Sequence, residues 1–160
     1  MTYQTIIYIF TIKFLKMEKL NSVLFYSIDK AIKTYRRYAQ KRLREQGFKI
    51  TIDQWLVIQN IMENPTISQQ EIAEKAFKDN ASVTRIIELL FKAKYLKRSV
   101  NKADRRKTNL AVTSEGENLM NGVLKVVLEN RAVALKGISK QDIDTTNKVL
   151  STIISNCNTA

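Results

Sequence analysis

From Leu20 to Gln46 the apolar residues recur at helical spacing: Leu20, Leu24, Ile28, Ala31 with Ile32, Tyr35, Ala39, Leu43. Residues three and four apart share one face of a helix, so the stretch reads as one amphipathic helix, stopped at Gly47. Its opposite face is basic, with Lys30, Lys33, Arg36, Arg37, Lys41, Arg42 and Arg44. Thr51-Ile52-Asp53-Gln54 then has the form of a capping box, in which a hydroxyl caps an amide and a carboxamide reaches back. The helix it opens carries Trp55, Leu56, Ile58, Ile61 and Met62. Asn64-Pro65 ends it, because the residue before proline avoids the helical region.

Ser68-Gln69-Gln70-Glu71 is a second capping box, opening a short helix with Ile72, Ala73 and Ala76. After the polar break Lys78-Asp79-Asn80, a helix from about Ala81 to Ala93 turns Val83, Ile86, Ile87, Leu90 and Phe91 inward. Two helices joined by so short a turn have the spacing of a helix-turn-helix. The period then changes. Tyr95–Val100 and Thr108–Val112 read as short strands, the second alternating Thr108, Leu110 and Val112 with Lys107, Asn109 and Ala111. The residues between them are charged, which predicts a β-hairpin with a basic tip. A helix capped by Thr113 or Ser114 should follow, reaching about Leu135 and apolar on more than one face, hence buried on several sides. Gly137 ends it, and Ser139-Lys140-Gln141-Asp142 starts a last helix with the stripe Ile143, Thr146, Leu150, Ile153, Ile154, Cys157. A two-stranded ribbon is not a stable domain alone, so it must pack beside the preceding helices as a wing. The fold class is therefore mainly α, a winged helix-turn-helix with a two-stranded β-wing and flanking N- and C-terminal helices.

The N-terminal segment does not fit this pattern. Tyr3 to Leu15 is apolar and aromatic but shorter than the roughly twenty residues of a membrane span, and it lacks the features of a secretory signal. The expectation is that Met17 is the native start and that residues 1–16 are a non-native or disordered extension. The expected organisation is then 17–50 as an N-terminal helical arm, 51–112 as the winged helix-turn-helix, and 113–160 as C-terminal helices.

Charge narrows the function. Lys and Arg outnumber Asp and Glu by 27 to 15, a formal net charge of +12. Such an excess suits a polyanion: nucleic acid, an anionic membrane surface or acidic protein. The chain has no His, which removes the commonest general base and transition-metal ligand. Its single Cys, Cys157, allows no internal disulfide, in keeping with a reducing, cytoplasmic setting. No catalytic set, metal site or phosphate-cradling glycine loop is present in the sequence, so neither an enzyme, a cofactor nor a metal partner is expected.

The candidate chemistry lies in the helix-turn-helix and the hairpin together. The second helix of the pair exposes Ser82, Thr84 and Arg85 opposite its apolar stripe, residue types that reach base edges and phosphates in a major groove. Its N-terminal amides are a further candidate for phosphate. The hairpin tip carries Asp104, Arg105, Arg106 and Lys107, and an Arg on a thin protrusion suits a narrow minor groove. Asp104 is expected to aim the Arg106 guanidinium through a bidentate ion pair.

With Gln54-Trp55, the Ser68–Ala73 helix, Ser82-Val83-Thr84-Arg85, Tyr95-Leu96-Lys97-Arg98, Asp104-Arg105-Arg106 and Val112-Thr113-x-x-Gly116, the chain resembles the MarR family of bacterial transcriptional regulators. The likeness follows helix order from about Leu20 to the C-terminus and is most specific from Ser68 to Gly116. It implies a homodimer, paired through the N- and C-terminal helices, that binds a palindromic operator in double-stranded DNA. It implies a ligand-responsive repressor, with Arg106 as the wing-tip arginine and Ser82, Thr84 and Arg85 at recognition-helix positions. It also implies a pocket for a small aromatic effector, for which Tyr26, Tyr35, Tyr38 and Trp55 are candidates, although aromatics at helical spacing are more often core. Cys157 reads as a small buried hydrophobe rather than a redox sensor. One position departs from the family. Lys94 stands where a glycine of positive φ is usual, so either the turn differs or a strain on the order of 1 kcal/mol is tolerated. The alternative to a DNA-binding regulator is a basic protein- or membrane-interaction module contacting its partner through the first helix and residues 1–16.

Overall fold

A computed structural model describes residues 19–100 and 108–159. The expectations for residues 1–16 and for Asp104, Arg105, Arg106 and Lys107 lie outside the described residues. A 3₁₀ turn, Leu20–Ser22, precedes α1 (Leu24–Glu45), α2 (Ile52–Glu63), α3 (Gln69–Ala76) and α4 (Asn80–Lys92). Strands β1 (Leu96–Val100) and β2 (Thr108–Val112) follow, then α5 (Ser114–Ala134) and α6 (Lys140–Asn158). The chain forms two compact units whose boundary falls inside α1, between Lys41 and Arg42. No helix among the described residues is long and apolar enough to cross a membrane.

In the first unit, α1 begins with exposed apolar residues, Leu24, Phe25 and Ile32. Lys33 and Asp29 form an exposed ion pair one turn apart at 2.8 Å, a contact that contributes little in solvent.

The second unit holds the core. Leu43, Ile50, Val57, Ile58, Ile61, Ile72, Val83, Ile87, Leu90, Leu96, Met120 and Val123 make one continuous buried cluster. Its helices start where the sequence pattern places them. Thr51 and Ser68 each complete a reciprocal capping box, with Gln54 and Glu71. Thr113 caps α5 and Ser139 caps α6. The Ser68 hydroxyl and backbone amide hold the Glu71 carboxyl below the ordinary carboxylate range.

Both helices of the helix-turn-helix end in a left-handed residue. At the end of α3, Phe77 has φ 52°; after α4, Lys94 has φ 61°. The Lys78 amide donates to the Ala73 carbonyl and the Tyr95 amide to the Leu90 carbonyl, while Phe77 and Lys94 donate to Glu74 and Phe91. Each is the paired-bond ending that normally takes glycine. Lys94 thus keeps the usual turn and bears its strain, and Phe77, not foreseen from the sequence, does the same while 93% exposed. Lys94→Gly and Phe77→Gly are each expected to raise stability by a few tenths to about 1 kcal/mol, the left-handed cost less the chain entropy glycine adds. Urea denaturation checks this, and a lowered midpoint in both variants would contradict it.

The wing is an antiparallel pair in the register Leu96↔Val112, Arg98↔Leu110, Val100↔Thr108. At its base, Leu96 is buried and Tyr95 and Val112 pack on the core. Two expectations need correction. Helix α5 covers only one face, through Met120, Val123, Val126 and Asn130, and leaves Leu124, Leu128 and Val133 exposed. Helix α6 buries no residue, and Cys157 is exposed rather than buried. The apolar stripes are real, but among the described residues their side chains are largely exposed.

Candidate nucleic-acid interface

The N-terminus of α4 is built around Asp79. Its carboxylate accepts from the Ser82 amide and the Ser82 hydroxyl, both at 2.7 Å. These bonds, the amide first, hold its pKa below the ordinary value. The amides expected to receive a phosphate are therefore already facing a carboxylate. The cap thus places one carboxylate at the N-terminus of α4, whose first turn holds no acidic residue of its own. The turn before it is tied to the start of α2 by the Lys78–Asp53 ion pair at 3.0 Å.

Ser82, Thr84 and Arg85 lie on the face of α4 away from its buried Val83, Ile87 and Leu90, as expected. Their chemistry differs. The Ser82 hydroxyl proton belongs to the cap. The Thr84 hydroxyl donates to the Asn80 carbonyl at 2.8 Å and accepts from Gln69 Nε2. Arg85 is exposed and has no bonding partner among the described residues, which leaves its guanidinium available.

Gln69 was not among the residues picked from the sequence. It is the first residue of α3, directly after the capping Ser68, and has no part in the capping box. A polar residue at that position without a capping duty is the one signal available. Its pairing with Thr84, fifteen residues on, depends on how the two helices cross.

The base of the wing is fixed by Thr113. Its hydroxyl donates to the Lys94 carbonyl at 2.7 Å and accepts from the Gly116 amide at 3.0 Å. Its own amide donates to the Tyr95 carbonyl at 3.1 Å. This knot sets the direction in which β1 leaves α4, so the Thr-x-x-Gly motif positions the wing. On β1, Arg98 stands 5.7 Å from the Phe91 ring, a cation–π contact that leaves a second positive charge beside α4.

The aromatic candidates fall in both units. Tyr26, Tyr35 and Tyr38 lie on α1 in the first, Tyr26 exposed and the others half-buried. Trp55, in the second, packs against the core cluster. Among the described residues there is no group of His, Cys, Asp and Glu able to hold a metal ion.

Comparison with known proteins agrees with this geometry. Residues 50–108 match the MarR family model. The chain is 39% identical over 70 residues to the HTH-type transcriptional regulator FarR of Neisseria gonorrhoeae, covering 44% of this chain and 48% of FarR. It spans less than half the length of the curated relatives it matches. The structure superposes on the Staphylococcus aureus MepR–DNA complex with a TM-score of 0.73 at 17% identity, over 84% of this chain and 96% of that one. It superposes on Rhodococcus jostii CouR bound to p-coumaroyl-CoA with a TM-score of 0.75 at 18% identity, over 85% and 94%. At those identities the shared property is the fold: a mainly helical winged helix-turn-helix. The sequence match runs from the start of the α2 region to β2, and over this segment, residues 50–108, the chain is similar to the MarR family.

Proposed function

We propose that the chain is a sequence-specific DNA-binding transcriptional regulator acting in the cytoplasm as a homodimer, a repressor released by a small aromatic effector. The observation that carries the reading is α4: a capped helix, seated on the core by Val83, Ile87 and Leu90, that offers Arg85, without a partner among the described residues, to solvent. Recognition helices of this kind enter a major groove while the wing reaches the adjacent minor groove. The exposed apolar residues of α1, α5 and α6 support a second copy as their cover, with residues 17–50 and 113–160 as the dimerisation arms and 51–112 as the DNA-binding part. The effector is supported more distantly, by a ligand-bound fold relative, CouR.

The test is operator binding. A site selected from random duplex DNA by the wild-type protein should be bound more weakly, by about 1–3 kcal/mol, by Arg85→Ala and by Arg106→Ala. Fluorescence anisotropy at fixed salt measures this, with circular dichroism confirming the fold. Wild-type affinity in both variants would remove the recognition helix and the wing from the interface.

A further inference from the structure

We propose that Gln69 is a DNA-contacting positioning residue, one that ties Thr84 of the recognition helix to a backbone phosphate. The inference rests on the DNA-binding reading above and extends it to a residue outside the recognition helix and wing.

The argument begins with where the protons are. The Asn80 carbonyl can only accept, so the 2.8 Å contact requires the Thr84 hydroxyl to donate to it. That hydroxyl has a single proton, and toward Gln69 it must therefore accept. The group facing it is consequently the carboxamide nitrogen, as the structure has it. One Nε2 proton is used in this bond. The other, with both lone pairs of Oε1, remains available on an exposed side chain.

Position decides what that second proton meets. When a recognition helix lies in the major groove, the helix before it crosses the sugar–phosphate backbone. Gln69 is the first residue of that preceding helix, α3, and Thr84 is within the first two turns of α4. A carboxamide there lies between groove and backbone, and Gln is among the side chains that donate to phosphate oxygens. At the N-terminus of α4 the Ser82 amide is already taken by Asp79. Gln69 supplies a phosphate contact from the preceding helix. In doing so it fixes Thr84 with its methyl group and one remaining hydroxyl lone pair toward the bases. Thr84 then reads as an acceptor or an apolar contact, not as a donor.

The experiment uses the full chain and a selected operator in which single phosphates are replaced, position by position, by neutral methylphosphonates. Wild type is expected to lose affinity about tenfold or more at one symmetric pair of phosphates, the weight of a hydrogen bond to a charged group. Gln69→Ala should bind the unmodified operator correspondingly weakly and be indifferent to substitution at that same pair. Gln69→Glu, which cannot donate and repels phosphate, should be weaker still. Circular dichroism and thermal melting of both variants separate this from misfolding. If Gln69→Ala shows the same methylphosphonate profile as wild type, the proposal is overturned. If it keeps that profile but changes base preference, Gln69 reads a base instead, and the phosphate assignment is likewise overturned. A wild-type protein that selects no duplex site would overturn the DNA-binding reading itself.

Discussion

Replacing Gly116 by alanine should destabilise the protein by about 2–3 kcal/mol, the range of an overpacked core site whose neighbours cannot move freely. Gly116 is buried in the first turn of α5. A Cβ there would run into the Tyr95 carbonyl oxygen, and would lie 2.7 Å from Val112 Cγ1 and 3.2 Å from the Tyr95 carbonyl carbon. Two of these obstacles are backbone, and that backbone is held by the Thr113 amide and by the ending of α4. Relief would require moving the base of the wing. The expected fall in melting temperature is roughly 4–12 °C for a chain of this size. Gly122→Ala is the matched control. Its Cβ would meet only the edge of the Phe48 ring, at 3.1 Å, and a helical alanine recovers about 0.5–1 kcal/mol. A small effect there and a large one at Gly116 would show that the glycine of the Thr-x-x-Gly motif is required by close approach. Equal effects would contradict this.

That position illustrates what local sequence can and cannot carry. The caps at Thr51, Ser68, Thr113 and Ser139 were readable because each involves residues three apart in one chain segment. The strands were readable because alternation is local too. The conformation of Lys94 was posed as a choice by the missing glycine, and the structure answers it with a left-handed lysine. Phe77 gave no such warning, since an aromatic residue advertises burial and here is almost wholly exposed. The Gln69–Thr84 bond joins residues whose distance depends on the helix crossing, which no periodicity encodes. The occupied N-terminus of α4 was half visible: Asp79 is a natural cap, but capping and phosphate binding compete for the same amides. The apolar stripes of α5 and α6 were visible, but how much of them stays exposed among the described residues depends on tertiary packing that no periodicity encodes.

Affinity for the operator is expected to fall by roughly 10³- to 10⁵-fold between about 50 and 200 mM salt, the loss for a protein neutralising some 6–10 phosphates. The charge of the chain sets the sign. At +12 it carries a surplus of cations for a phosphate backbone, and the released counterions drive binding. The structure limits where that surplus acts. Asp79, the N-cap of α4, has its pKa held down by its bonds to Ser82, so the N-terminus of α4 is not expected to add to the slope. The slope is expected to come from Arg85, Arg98, Arg105, Arg106, Lys107 and other surface cations. Gln69, being neutral, should change affinity without changing the slope. A phosphate-bound arginine replaced by alanine should instead flatten it by about one unit for each site lost. Plotting log affinity against log salt for wild type, Arg85→Ala, Arg106→Ala and Gln69→Ala separates these roles on one operator. A wild-type slope near zero would mean that the basic surface serves another partner and that phosphate neutralisation does not drive binding.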